Sequence, residues 1–328
     1  MKNIYLNIYK ANFTNLKKAK KNIQNNNVIG LPTETVYGLA GNAYSNKAVK
    51  KIFNLKKRPS FNPLIVHFRD LNHLKKDVVY NKTFIKLYNA FCPGPITFIL
   101  TKKPKSKISK FVSAGKNTIA VRIPKHAVAR NLLKILNVPL AAPSANIASK
   151  LSPTCANDVV DEFGDKVKFI IDGGRSKIGL ESTIIDLTQK PTILRQGAIT
   201  VEKINKILKR KININKKLKS IKGPGQLRLH YYPGIPVFMN QKSSKKSGAF
   251  ITLGKNYKDA KNYFNLSTKN NLNEAANNLY KIMRKIRKKK YKSMAVCKIP
   301  NKGIGKAIND RLKKASNKWM KLQLKLII

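Results

Sequence analysis

The chain has 328 residues, 42% of them apolar, enough to build packed cores; at about 100–200 residues per domain it should hold two domains. Its 68 Lys and Arg against 14 Asp and Glu give a net charge of +54, a balance that attracts anions. The longest apolar runs, such as 96–100, are far too short to span a bilayer, and Cys92, Cys155 and Cys297 form no CxxC pair, which argues against a zinc knuckle or disulfide framework.

In chain order, the segment between Lys2 and Lys10 lacks the apolar stretch of a signal peptide, so a cytoplasmic protein is expected. Residues 27–31 read as a strand ending at Pro32. Residues 46–55 place Ala48, Val49, Ile52, Phe53 and Leu55 at helical spacing. A buried strand is expected over 63–68, and a helix over 83–92 that Pro93-Gly94-Pro95 stops. Residues 96–100 and 118–123 read as strands, 127–136 as a helix, and 139–142, 167–172 and 182–186 as further strands. Strands with intermittent helices imply α/β architecture, a sheet covered by helices.

After Val201 a helix and then a linker are expected. Lys and Asn dominate up to Ile221, and Gly223-Pro224-Gly225 and His230-Tyr231-Tyr232-Pro233 follow. A second, smaller α/β unit comes next: strand 249–253, helix 272–289, strand 293–299 and helix 306–316. Glu274 near the start of the long helix, with Lys and Arg in its last turns, suits the helix dipole.

The charge has two readings. One is an RNA-binding surface. The other is codon drift, since Lys, Asn and Ile all have A/T-rich codons. The lysines are spread along the whole chain without aromatics interleaved with Arg, which favours drift, and weak RNA binding is kept as the alternative.

Neither a Walker-type phosphate loop nor a GxGxxG turn is present, and Gly303-Ile304-Gly305 lacks the third glycine. An ATP site must therefore be built from side chains and helix ends. Lys56 and Arg58, one residue apart before Pro59, can reach different phosphate oxygens, Lys as a point charge and Arg as a planar fork. Arg122 ends an apolar strand and needs an anion. Its partner is either a carboxylate side chain or a ligand; no acid lies between Asp77 and Asp158, so local side-chain partners are scarce and a ligand carboxylate is attractive. His67 ends another apolar strand, where it either is a satisfied core residue or faces a pocket. Ala142 to Asn146 puts small residues, a hydroxyl and an amide after a strand. The four His are too dispersed for a metal cluster.

The segments PTETVYGLAGNA (32–43), KKRPSFNPLIVHF (56–68), PGPITFIL (93–100), TIAVRIPKH (118–126), PLAAPSAN (139–146), SPT (152–154), IDGG (171–174), ESTIID (181–186) and ILRQGAI (193–199) occur in order. Together they closely resemble the YrdC-type threonylcarbamoyl-AMP synthase family in its long two-domain form. GPGQLRLHYYP (223–233) resembles the loop between its domains, and IGKAINDRLKKAS (304–316) the end of the second. The resemblance implies a catalytic domain over 8–205, a linker with a lid loop over 206–234 and a small C-terminal Rossmann-like α/β domain over 235–328. It also implies a twisted mixed sheet with a concave basic cavity.

The implied enzyme is a nucleotidyltransferase that makes threonylcarbamoyl-AMP and pyrophosphate from L-threonine, bicarbonate and ATP. The product would serve N6-threonylcarbamoyladenosine formation in tRNA through a partner transferase. Carried over by motif, Thr35, His67, Arg122, Ala142 and Ser182 would hold threonine. Arg58, Asn62, Thr118, Ser144, Asn146, Ser152, Arg195 and Tyr231 would hold the nucleotide, with Tyr232 the alternative lid residue. Lys56 would sit on the phosphates, and Lys56 and Arg58 would stabilise charge on the transferring group. Mg²⁺ would ride on the triphosphate, because no carboxylate cage is evident. Two rivals are a non-catalytic RNA-binding protein and a carbamoyl-transfer maturation factor for hydrogenases; the second would carry zinc-finger cysteines and an acylphosphatase-like region, both missing from this sequence.

Overall fold

A computed structural model of the chain describes residues 6–214, 223, 230–257 and 260–316. Of the expected linker and lid loop, 215–222 and 224–229 lie outside the described residues, as do 1–5, 258–259 and 317–328. The chain divides into two compact units. The first comprises Met1–Ala148, Pro153–Ser176 and Glu181–Gln226; the second comprises Ser149–Ser152, Lys177–Leu180 and Leu227–Ile328. Two short loops, each read above as part of the catalytic domain, thus pack with the second unit.

The first unit runs β1 (Ile8–Lys10), α1 (Phe13–Gln24), β2 (Ile29–Leu31), β3 (Gly38–Asn42), α2 (Asn46–Lys56), β4 (Ile65–His67), α3 (Leu71–Leu74), β5 (Val78–Val79), α4 (Lys82–Phe91), β6 (Ile96–Lys102) and β7 (Thr118–Arg122). It continues with α5 (Ala127–Ile135), β8 (Leu140–Ala141), α6 (Ala156–Phe163), β9 (Ile170–Asp172), β10 (Thr183–Asp186), β11 (Thr192–Arg195), α7 (Val201–Leu208) and β12 (Asn213–Ile214). The strands form one twisted mixed sheet in the order β1-β9-β2-β3-β8-β4-β7-β6-β10-β11-β12, with β5 added beside β6.

Local chemistry sets the helix ends. Ser45 caps α2 by accepting the Ala48 N–H, and Lys57 closes it in the left-handed conformation at φ 48°. Asn81 caps α4 in the same way, and the chain turns extended at Cys92 ahead of Pro93.

Side chains alternate across β4, β6, β7 and β10. Val66, Phe98, Val121 and Ile185 enter the main core under α2 and α4. Their neighbours Ile65, Ile99, Ala120 and Ile184 form a smaller apolar floor on the other face. Burying a side chain such as Phe98 is worth about 1.5–3 kcal/mol, so this alternation fixes the strand register. Position 223 lies over that floor: a Cβ there would sit 3.4 Å from Ile99 and 3.6 Å from Ile184.

The second unit contains β13 (Val237–Phe238), β14 (Ala249–Thr252), β15 (Tyr263–Asn265), α8 (Leu272–Lys288), β16 (Met294–Val296) and α9 (Gly305–Ala315). Its four strands are all parallel, in the order β13-β16-β14-β15, as in a Rossmann-like sheet. Asn271 caps α8, and its inward stripe includes Leu279, Met283 and Ile286.

Candidate functional site

Strand register brings two of the expected threonine residues, His67 and Arg122, side by side in the first sheet; Ala142 lies beside Ile65, at the other end of β4. His67 of β4 lies beside Arg122 of β7. Strand β6 runs antiparallel to β7 with Phe98 opposite Val121, which brings Thr97 level with Arg122. Strand β10 pairs Ile184 with Thr97, so Ser182 lies two residues before the same row, and β11 sets Arg195 opposite Ile184.

Arg122 is buried, and its fork is partly used. Nε donates to the Gly94 carbonyl at 3.3 Å, Nη1 to Thr35 Oγ1 at 2.8 Å and Nη2 to Glu34 Oε1 at 2.6 Å. Of the two partners left open by the sequence, a side-chain carboxylate is present, from a distant part of the chain. The acid is Glu34, 88 residues earlier in the chain and also buried. The second Glu34 oxygen accepts the N–H groups of Lys125 and His126, which ties it to the start of α5. Arginine has five N–H donors, so one hydrogen on each terminal nitrogen of Arg122 is left for a ligand.

Burial alone would raise the Glu34 pKa, but the charge and hydrogen bond of Arg122, with backbone N–H donors, outweigh it and hold the carboxyl below its usual range. His67 is driven the other way. Burial, and then the adjacent Arg122 charge, push its pKa well below the usual imidazole value. The ring is therefore neutral, and its Nδ1 is buried without a hydrogen-bond partner. Thr35 Oγ1 also shares a hydrogen bond with Thr33 Oγ1 at 2.9 Å. Ser182 Oγ bonds Thr97 Oγ1 at 2.7 Å, and Arg195 Nη2 donates to both the Ser182 carbonyl and its hydroxyl.

The other end of β4 and β7 carries most of the expected nucleotide residues. Thr118 opens β7, at the end opposite Arg122. Arg58 wraps its own turn: Nε reaches the Asn62 carbonyl, and Nη2 reaches Asn62 Oδ1 and the Pro63 carbonyl. Lys56, the last residue of α2, is buried. Its Nζ donates at 2.5 Å to the carbonyls of both Ser144 and Asn146. Burial, and then the nearby Arg58, lower its pKa well below the usual lysine value, while Glu162 opposes the shift. Lys56 and the Ser144-Ala145-Asn146 loop are thus one clamped assembly. Ser144 is bridged to Gly38, and the Ala142 N–H bonds the Ile65 carbonyl at 2.9 Å.

Ser152 and Tyr231 pack within the second unit. The Ser152 side chain is buried, and its neighbour Leu151 offers its carbonyl to Arg284 at 2.6 Å. Tyr231, at φ 65°, is buried between the Tyr280 ring, 5.9 Å away, and the Arg311 guanidinium at 5.1 Å. Tyr232 is half-exposed, and its N–H bonds the Ser149 carbonyl. The residues sequence reasoning missed are Glu34, Thr33 and Thr97. Glu34 carried a usable signal, being the first acid in a chain that has few. Among the described residues, no three His, Cys, Asp or Glu side chains gather as a metal site.

Such a site, with a neutral imidazole and a half-committed guanidinium at one end of a twisted sheet and a lysine-clamped loop at the other, defines an α/β protein of the Sua5–YciO–YrdC class. The model of that family, described as telomere recombination, matches residues 21–197, and a threonylcarbamoyl-AMP synthase C-terminal domain model matches 199–317. The chain belongs to the threonylcarbamoyl-AMP synthase family, in the form that carries both domains. Its relatives include the Pyrococcus abyssi threonylcarbamoyl-AMP synthase, 37% identical with 90% of this chain and 92% of the relative covered. The Bacillus subtilis threonylcarbamoyl-AMP synthase is 34% identical over 93% and 94%. Among solved structures, P. abyssi Sua5 complexed with L-threonine aligns at a TM-score of 0.85 and 33% identity, covering 94% of this chain and 96% of that one.

Proposed function

We infer that this chain is a threonylcarbamoyl-AMP synthase, joining L-threonine, bicarbonate and ATP into threonylcarbamoyl-AMP with release of pyrophosphate and water. The observation that carries this reading is the match along nine-tenths of the chain to relatives of that name. The site geometry supports it. Two unspent Arg122 hydrogens suit the threonine carboxylate, and the neutral His67, with Thr35 and Ser182 nearby, suits its hydroxyl and amine. The P. abyssi protein, solved with L-threonine, supports the choice of amino acid.

The chemistry needs little acid–base machinery. Threonine's amine, once neutral, takes up bicarbonate to give a carbamate and water. A carbamate oxygen then attacks the α-phosphorus of ATP, and the bond to the bridging oxygen of the β-phosphate breaks. A field set by Arg58, Arg122 and Arg195 favours the neutral amine and holds the two anions together. Arg122 and Glu34 largely cancel each other's charge, so Arg58 and Arg195 carry most of that field and Arg122 contributes directed N–H donors. Lys56 acts here through the loop it clamps, which presents Ser144 and Asn146 to the nucleotide. The roles of Thr118, Ser152 and Tyr231 rest on their motifs. Mg²⁺ enters with the triphosphate as part of the substrate.

The product would pass to a transferase that modifies tRNA, which puts the protein in the cytoplasm. Among the described residues no helix is long and apolar enough to cross a membrane. Pyrophosphate release from ATP is the direct test. It should require both threonine and bicarbonate, and release indifferent to either would sink the assignment.

A further inference from the structure

Thr33, two residues before Thr35, takes no direct part in the reaction above. Both are buried, as is Arg122. The Thr33 hydroxyl oxygen lies 2.6 Å from the Val36 carbonyl oxygen and 2.9 Å from Thr35 Oγ1. It also accepts the N–H groups of Thr35 and Val36, each at 3.2 Å. A carbonyl has no hydrogen to give, so the 2.6 Å contact takes the one hydrogen of the Thr33 hydroxyl. Thr35 is then the donor within the hydroxyl pair, because two oxygens 2.9 Å apart with no hydrogen between them repel. Arginine has donors only, so Thr35 accepts from Arg122 Nη1 at 2.8 Å. The hydrogen bonds therefore run one way, from Arg122 to Thr35, to Thr33, to the Val36 carbonyl. Burial keeps away water, which would otherwise offer each hydroxyl a second direction.

Thr33 is itself anchored from the other side. Its carbonyl accepts the buried Ser176 hydroxyl at 2.9 Å, and the Ser176 N–H bonds the Thr154 carbonyl at 2.8 Å. The Tyr37 N–H bonds the Pro153 carbonyl at 2.9 Å, so the bend over 33–36 is tied at both ends to residues 153–154. These ties are made within the first unit and without any ligand, so the direction of the Thr35 hydroxyl is set before a substrate arrives.

We propose that Thr33 is a positioning residue that makes Thr35 an acceptor toward the amino acid's amine. A hydroxyl has one hydrogen and two lone pairs. With its hydrogen on Thr33 and one lone pair on Arg122, Thr35 has only a lone pair to offer a substrate. Arg122 beside it has the opposite demand, since its remaining hydrogens need an acceptor. An acceptor group next to a donor group is what an α-amino acid presents. The amine is the donor nearest the carboxylate, one bond closer than the β-hydroxyl. A 2-oxo acid would set a lone pair against the Thr35 lone pair and is turned away. The contact also outlasts the first step, because the nitrogen keeps one hydrogen when the amine becomes a carbamate. This inference rests on the synthase reading and specifies how its amino-acid subsite tells a donor from an acceptor.

The test titrates the full chain with L-threonine in a calorimeter, without ATP. Thr33→Val keeps the shape but removes the hydroxyl, which lets the Thr35 hydrogen turn toward the ligand. The threonine Kd should then rise about 10-fold or more. Thr33→Ser, which restores the hydroxyl, should return it to near the wild-type value. The Kd of a non-hydrolysable ATP analogue should be unchanged in both variants. L-2-Aminobutyrate, which has the amine but no hydroxyl, should lose as much affinity in Thr33→Val as threonine does. Should Thr33→Val fail to fold by circular dichroism, the wild-type chain still decides: 2-oxobutyrate should displace threonine at least about 10-fold more weakly than L-2-aminobutyrate. The assignment is overturned by wild-type threonine affinity in a folded Thr33→Val, by no rescue in Thr33→Ser, by an equal loss for the ATP analogue, by a loss confined to threonine, or by 2-oxobutyrate competing as well as L-2-aminobutyrate. Failure of the wild-type chain to bind threonine at all would count against the synthase reading instead.

Discussion

Glu34 orients the Arg122 guanidinium. With one carboxylate oxygen on the guanidinium and the other on the start of α5, it fixes where the two unspent Arg122 hydrogens point. Glu34→Gln keeps hydrogen-bonding atoms in place but removes the charge. Hydrogen bonds to charged groups contribute about 1.5–3 kcal/mol, so the threonine KM should rise about 10-fold or more, while the ATP KM stays within about twofold. Equal changes in both would show a merely structural role. His67 gives a pH prediction. Its folded pKa is depressed, so its share of stability is present above about pH 6.5 and is lost as pH falls toward the folded value. Across neutral pH the ring stays uncharged, and the threonine KM should be flat from about pH 6 to 8. An inflection near 6.5 that disappears in His67→Asn would refute this. At this scale the motifs were legible as residues; the register sets His67 beside Arg122, and Ser182 reaches that row through its hydrogen bond to Thr97. Glu34 was not found as the Arg122 partner because an ion pair across 88 residues leaves no trace in local spacing.

Helix α2 and the loop after β8 act as one element through Lys56. Its ammonium crosslinks a helix end to two carbonyls about 90 residues away, and the Ala148 N–H returns the contact to the Lys56 carbonyl. Lys56→Met keeps the stem but strands two buried carbonyls, each costing about 1–3 kcal/mol. The thermal midpoint should fall by several degrees and the ATP KM should rise about 10-fold or more, with threonine KM changed less. Unaltered nucleotide kinetics would show that the loop holds its form without the clamp. The longer periodic elements were legible: α2, α4, α5, α8 and α9 stand within a residue or two of their expected spans. Helix α1 went unread because its lysines outnumber its three buried apolar residues, although Asn12 caps it. Strand β3, Gly38–Asn42, is mostly small residues without β-forming character, and pairing with β2 and β8 imposes its form. The two-residue strands have too little sequence to carry a period.

On the molecular scale, 68 cations face 14 acids, and several of those acids are buried: Glu34, Asp77, Asp158, Glu181 and Asp186. Most surface lysines therefore repel one another. Added salt shortens the screening length from about 30 Å at 0.01 M to about 10 Å at 0.1 M, so the thermal midpoint should rise by several degrees over that range. A flat or falling midpoint in differential scanning would show that self-repulsion is not a main cost to this fold. The two-unit α/β organisation was legible because its motifs occur in order. The assignment of Ser149–Ser152 and Lys177–Leu180 to the second unit was not, because neither loop differs in composition from its flanks.

The pairing of β1 with β9 sets a timetable for synthesis. Ile8 lies against Ile170, so the first strand has no partner until some 160 residues have followed it off the ribosome. At about 5–20 residues per second that wait is roughly 10–30 s. Loop closure of that length is slow to repay its entropy, so the N-terminal segment stays accessible while most of the first unit is made. Stalled nascent chains with about 150 residues outside the ribosome should be cut by protease before α1, and chains with about 200 outside should resist. Equal protection at both lengths would mean that the edge strand finds another early partner.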